Sequence, residues 1–163
     1  MNEADPPRAL AEFGDYSLRA LELCESARQE LVIYDHDFEM SGLESRAGNA
    51  ALEALCVRSR ANHGIRILVR SPRFIERDCP RLQRLLQQFG HRIIVKVVRK
   101  GDASSDQPFI VDDNANYVLR FHHDGPRGKA QRSDSLVASR LIAQFETMWM
   151  NATNGPNGAR LGL

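Results

Sequence analysis

The sequence predicts an α/β fold, a mixed and mostly parallel sheet with helices on both faces. Three features lead there. Apolar residues recur at helical spacing in four separate segments, and short runs rich in Val and Ile stand between them. The connections joining the first three runs are long enough to be helices, whereas the last two runs are joined by five residues. Parallel strands need a crossover and antiparallel strands take a tight turn, so three parallel strands followed by a hairpin result.

Each element has its own signal. Residues 1–14 read as a loose leader, and "YSLRALELCESARQE" as an amphipathic helix with Leu18, Leu21, Cys24 or Glu25, and Ala27 at helical spacing, capped by Asp15 or Ser17. "LVIYDHDFE" opens with an apolar run suited to a strand buried on both faces. After the polar loop "SGLESRAGN", a second helix turns Leu52, Leu55 and Cys56 inward and stops at Asn62-His63-Gly64. "IRILVR" is a strand with Ile65, Ile67 and Val69 on one face. "CPRLQRLLQQFG" is a helix with Pro80 near its first position, a stripe of Leu82, Leu85, Leu86 and Phe89, and Gly90 at its end. "HRIIVKVVRK" alternates as a third strand, and "PFIV" and "YVLRFHH" flank the turn "DDNAN". The Gly- and Pro-containing "DGPRGKAQRSD" reads as a mobile linker. The last helix buries Val137, Leu141, Phe145 and Met148 or Trp149. The single domain thus spans residues 15–152, with a flexible tail over 153–163.

The totals narrow the class. With 163 residues, 42% hydrophobic and 26% charged, the chain suits one soluble domain with one sizeable core. No apolar run approaches the roughly 18 residues of a membrane span, so no membrane partner is expected. The acidic, Pro-containing N-terminus does not resemble a signal or transit peptide, which makes the cytoplasm the expected location. Cys24, Cys56 and Cys79 are odd in number and widely spaced, which argues against a disulfide framework; no C-x-x-C pair suggests zinc.

Net charge is only +1, yet it is unevenly placed. Residues 1–56 balance at −8, residues 57–100 at +10 and the remainder at −1. The middle segment holds Arg58, Arg60, Arg73, Arg77, Arg81 and Arg84, the expected nucleic-acid contacts if the chain binds one. Such asymmetry also fits an anionic ligand or a charge-complementary protein partner, and solvated helix faces produce it as well. Few aromatics stand near those arginines to stack bases.

"RANHGIRILVRSP", the hairpin strand "FIVDD" with its terminal Asp, and "FETMW" in the last helix occur in an order that resembles one half of a phospholipase D-like domain, from about residue 17 to 152. There is a likeness, too, to small bacterial domains of that type. The resemblance implies a single α/β half-domain, and a homodimer, because single-half members pair two copies to complete one site. Enzymes of that family carry H-x-K-x-x-x-x-D at the hairpin, usually followed by G-S-x-N. One His attacks phosphorus, a second protonates the leaving group, and Lys with Asn holds the phosphate oxygens. Laid on "SDQPFIVDD", the Asp falls on Asp112, the Lys on Gln107 and the nucleophile on Ser105; the Gly-Ser pair falls near Leu119 and Arg120 and the Asn near His122. Serine without a base does not replace an imidazole, and Gln has no charge for phosphate. The resemblance therefore implies a domain that binds rather than cleaves, with Asp112 as a turn cap.

Two acid-imidazole clusters remain. Asp35, His36 and Asp37 follow the first strand at its C-terminal end, where ligands commonly bind in open α/β sheets. His122, His123 and Asp124 end the last strand, with His122 on the face of Arg120 and His123 on that of Phe121, so that only one of the two joins a given site. Three readings stay open: strand-end groups making local hydrogen bonds, an anion held by His36, His122 and Arg120, and a metal-dependent hydrolase using both clusters. The ligand-binding candidates are Asp35, His36, Arg70, Arg120, His122 and His123. No diagnostic metal spacing, Gly-rich phosphate loop or G-x-S-x-G elbow is present, and no cofactor is expected.

Overall fold

The computed structural model describes residues 6–102 and 105–158; the outer parts of the expected leader and tail, and residues 103–104 of the expected "GDASSD" loop, lie outside the described residues. Strands β1 (Arg8–Leu10), β2 (Leu31–Asp35), β3 (Ile65–Val69), β4 (Ile93–Val97), β5 (Phe109–Asp112), β6 (Tyr117–Arg120), β7 (Gly128–Gln131) and β8 (Thr153–Asn154) form one sheet in the order β1-β7-β6-β5-β2-β3-β4-β8. The helices are α1 (Phe13–Ser26), α2 (Arg46–Arg58), α3 (Arg73–Asp78), α4 (Pro80–Gln88) and α5 (Ser135–Asn151). The sheet is mixed, as expected. Its balance differs: β2-β3 and β3-β4 are parallel, and the remaining ladders among the described residues are antiparallel.

The additional antiparallel ladders come from segments that carry no long apolar run. Arg8–Leu10, expected in a loose leader, pairs with β7, and Gly128–Gln131, expected in a mobile linker, pairs with β6 on its other side. Thr153–Asn154, expected in the tail, closes on β4. Short edge strands are recruited by the unpaired N–H and C=O groups of a neighbour, not by their own propensity. Gly128 permits one such approach, because a Cβ there would stand 2.0 Å from the carbonyl oxygen of Leu119.

Two cores flank the sheet. One joins α1, α2, α3 and α4 to Ile33, Ile65, Ile67, Val69, Ile93 and Val95; the other joins α5 to Val32, Tyr34, Leu68, Phe109 and Val111. Helices α2, α4 and α5 bury the expected stripes, with Phe89, Val137 and Trp149 partly covered. Helix α1 differs. It begins at Phe13 behind a Glu12/Asp15 capping box, and its buried face is Tyr16, Ala20, Leu23 and Cys24, leaving Leu18 half exposed at 51%. An aromatic, Tyr16, is therefore buried where Leu18 was expected. All three cysteines are buried, and burial pushes the Cys24 and Cys79 thiols up to about 12 and Cys56 to about 11. Such thiols are inert packing groups at neutral pH.

Candidate functional site

Strand direction gathers the candidate residues on one rim. The C-terminal ends of β2 and β3 lie there, and so does the start of β5, which runs against β2 with Tyr34 opposite Phe109. β6 reverses again and ends on the same rim at Arg120. The backbone ties the rim together: Arg70 N–H donates to the carbonyls of Asp35 (3.2 Å) and His36 (2.9 Å), and Tyr34 Oη donates to the carbonyl of Ser105 (2.6 Å).

Its centre is an ion pair. Arg120 Nη2 lies 3.4 Å from Asp35 Oδ1, and each side chain is only 1% exposed. Arg120 Nη1 also donates to the carbonyls of His123 (2.8 Å) and Gly125 (3.3 Å), and the guanidinium lies over the Tyr16 ring at 4.9 Å. Asp35 Oδ1 accepts the N–H of His36 at 2.7 Å. Burial pushes Asp35 up to about 6, outweighing the opposing pull of Arg120 and of the His36 N–H. Burial raises the Tyr16 hydroxyl well above its ordinary value, assisted by Asp35 and opposed by Arg120.

Over this pair lies a stack of imidazoles. The rings of His36 and His123 are 4.8 Å apart, and those of His123 and His122 are also 4.8 Å apart. His122 Nδ1 is bonded to Asp124 Oδ1, which holds the Asp124 carboxyl below its usual range. Four buried polar atoms of this connected group have no hydrogen-bond partner among the described residues, Asp35 Oδ2, His36 Nδ1, Arg120 Nε and His123 Nδ1, while the Tyr16 hydroxyl interacts with Arg120. Native interiors leave few such atoms open, and here they gather in one place.

The expected facing of the histidines is corrected here. β6 ends at Arg120; Phe121 N–H bonds to Arg127 and Gly125 N–H to His122, so the chain turns and strand alternation stops. Arg120 points beneath the site, and His123 rather than His122 meets His36, with both histidines in the stack. Tyr16 was not singled out in the sequence, although its place on α1 behind the Glu12/Asp15 cap carried the signal. Arg70 stands beside the stack but pairs with Asp106 at 3.1 Å. Asp37 accepts the N–H of Glu39 and shapes a turn. Among the described residues no three His, Cys, Asp or Glu side chains group as a metal site, and the two clusters spend their carboxylates on Arg120, His122 and the Glu39 N–H.

At the hairpin, Ser105 Oγ accepts the N–H of Gln107 at 3.1 Å. Asp112 is buried and holds the turn together, accepting the N–H groups of Asn114 (2.8 Å) and Asn116 (3.0 Å), the Asn116 amide (2.9 Å) and the Ser26 hydroxyl (3.2 Å). The expected nucleic-acid arginines divide. Arg58 donates to the carbonyls of Cys24 (2.9 Å), Glu25 (3.3 Å) and Ala27 (2.8 Å), capping the last turn of α1. Arg81 reaches the carbonyl of Glu44, whereas Arg60, Arg73, Arg77 and Arg84 are exposed. Among the described residues no helix is long and apolar enough to cross a membrane.

Comparison with solved structures finds the same fold at low identity. NucT from Helicobacter pylori is 12% identical with a TM-score of 0.63, the alignment covering 93% of this chain and 99% of that one. Nuc from Salmonella typhimurium, a phospholipase D family member, is 11% identical with a TM-score of 0.62 and coverages of 91% and 98%. TrmBL2, an archaeal chromatin protein whose structure shows a novel mode of DNA binding, is 15% identical with a TM-score of 0.68; 92% of this chain spans about half, 54%, of that one. No curated protein matches the chain in sequence. The fold is phospholipase D-like, and with its family model matching residues 14–161 the chain belongs to the family described as Domain of unknown function (DUF7931).

Proposed function

We propose that this chain is a non-catalytic phospholipase D-like binding module whose rim above Arg120 receives an oxyanion, such as the phosphate of a larger ligand. One contrast carries the reading. Ser105 and Gln107 occupy the positions that match the family's nucleophile and phosphate-gripping cation, while Arg120, His36 and His123 bring open nitrogen positions to the same rim. Imidazole and guanidinium nitrogens are suited to oxyanions, and a buried cation strengthens any anion placed close by.

The site's charge depends on Asp35. While ionised it neutralises Arg120; once protonated, near pH 6, it leaves the guanidinium without a counterion. Calorimetric titration with sulfate reads this directly, since sulfate does not titrate between pH 5 and 8. Affinity is expected to rise several-fold from pH 8 to pH 5 in the parent chain and more shallowly in Asp35→Asn, where only the imidazoles still take up protons. His123→Ala should weaken binding at both pH values. Phosphodiester turnover abolished by changing Ser105 or Gln107 would overturn the reading.

A nucleic-acid ligand is the second reading, supported by the exposed Arg73, Arg77 and Arg84 on α3 and α4 and by the likeness to an archaeal chromatin protein. Arg58 drops out of that set because it caps α1. The assembly that accompanies either reading is a homodimer, by resemblance to single-half family members.

A further inference from the structure

A second binding position lies on the α1 side of the sheet, at the opposite end from the imidazole stack. β1 and β7 are paired with Arg8 opposite Ala130. Alternation puts Arg8 on the face of buried Leu10, and Ala130 faces the same core. Across from them α1 turns Arg19, Glu22, Leu23 and Ser26 to one side, the i, i+3, i+4, i+7 spacing of a helix face. Between them is a shallow, half-open cleft with Arg8, Arg19 and Arg132 around it.

Among the described residues three arginines line the cleft against one acid, Glu22. Arg19 holds both oxygens of Glu22, at 2.8 and 2.7 Å, and so consumes the acid that lines the cleft. Arg8 and Arg132 are exposed and have no ion pair or side-chain hydrogen bond among the described residues. Asp112, a buried carboxylate behind Ser26, is spent on the Ser26 hydroxyl and on Asn116. The floor is apolar, formed by the side chains of Leu23 and Ala130, while Tyr117 borders the cleft from β6 with its ring in the core on the other face. Two unpaired guanidinium groups over an apolar floor match a small organic anion with an apolar body, because guanidinium grips carboxylate and phosphate through paired N–H bonds.

We infer that this cleft is a binding site for a small amphipathic oxyanion, gripped by Arg8 and Arg132 and seated on Leu23 and Ala130. The site is separate from the rim over Arg120, and neither depends on the other.

The test uses the full chain titrated with benzoate, phenyl phosphate and neutral benzamide, followed by calorimetry and by amide shifts of residues 130–132. One of the two anions is expected to saturate, and which of them binds more tightly tells carboxylate from phosphate. Arg8→Gln/Arg132→Gln should weaken that binding at least tenfold with the melting temperature unchanged, since both side chains are exposed. Ala130→Met, which fills the floor, should weaken it with both arginines in place. His123→Ala should leave it unaltered, which separates this cleft from the rim. Absence of saturation by either anion, equal binding of benzamide, or indifference to the double arginine change would overturn the inference.

Discussion

Asp35 and Arg120 show how one buried pair is coupled to pH. A carboxyl raised to about 6 from an ordinary 3.8 binds a proton more readily folded than unfolded. Folding stability is therefore fully present below the unfolded value, falls as pH climbs from about 4 to about 6, and is flat beyond; linkage makes the loss about 3 kcal/mol. Asp15, Asp113 and Asp124 act in the opposite sense, because they are held below the ordinary value and lose stability only as the solution is acidified through their folded values. Denaturant midpoints across pH 3.5 to 8 should show the Asp35 decline, and Asp35→Asn should abolish it. Because burial outweighs the pull of Arg120, Asp35→Asn should leave stability at pH 8 unchanged or raised, whereas Arg120→Met, which removes the cation from beside a buried carboxylate, should lower it. Asp112 is a different kind of acid. Asp112→Ala strips the turn of its acceptors and should cost roughly 1–3 kcal/mol in a urea melt, with oxyanion affinity at the rim preserved.

Among the elements, α1 depends on a residue far along the chain. Its last carbonyls are satisfied by Arg58 rather than by a glycine turn. Arg58→Met keeps the aliphatic stem and removes the donors, so a loss of about 1–2 kcal/mol in thermal or urea unfolding is expected. Nucleic-acid affinity, if any is measured, should not move, which distinguishes a cap from a phosphate contact. β7 carries the opposite dependence, on the absence of a side chain. Gly128→Val forces a Cβ against the Leu119 carbonyl and should detach β7 together with β1. Hydrogen exchange of residues 8–10 and 128–131 should rise well above that of β2 and β3 in this variant.

The whole molecule sets the long-range field. Its net charge is +1, but residues 57–100 alone carry +10, and Arg73, Arg77 and Arg84 lie exposed on α3 and α4. Binding to a duplex through these groups should weaken steeply as salt rises, since each phosphate contact releases counterions. Arg73→Gln/Arg77→Gln/Arg84→Gln should reduce the slope of log K against log salt by about 3, while binding that ignores salt would remove the nucleic-acid reading. Light scattering at micromolar concentration should give twice the 18.4 kDa chain mass for the proposed homodimer, and a monomer would count against it.

Local patterning was enough to reveal the crossover strands, the hairpin and the stripes of α2 and α4, because periodicity and residue type are properties of neighbours in the chain. The sequence by itself also determined that Asp112 would serve a turn, since a carboxylate before "DNAN" finds backbone N–H groups within four residues. Only the tertiary structure decided that β1, β7 and β8 would form, because their pairing comes from a neighbour's open hydrogen bonds rather than from their own composition. It likewise decided that His123 would meet His36 and that Tyr16 would lie under Arg120. Those contacts join residues 85 or more positions apart, and their geometry follows from where β6 stops and how far α1 is wound, which no short window of sequence contains.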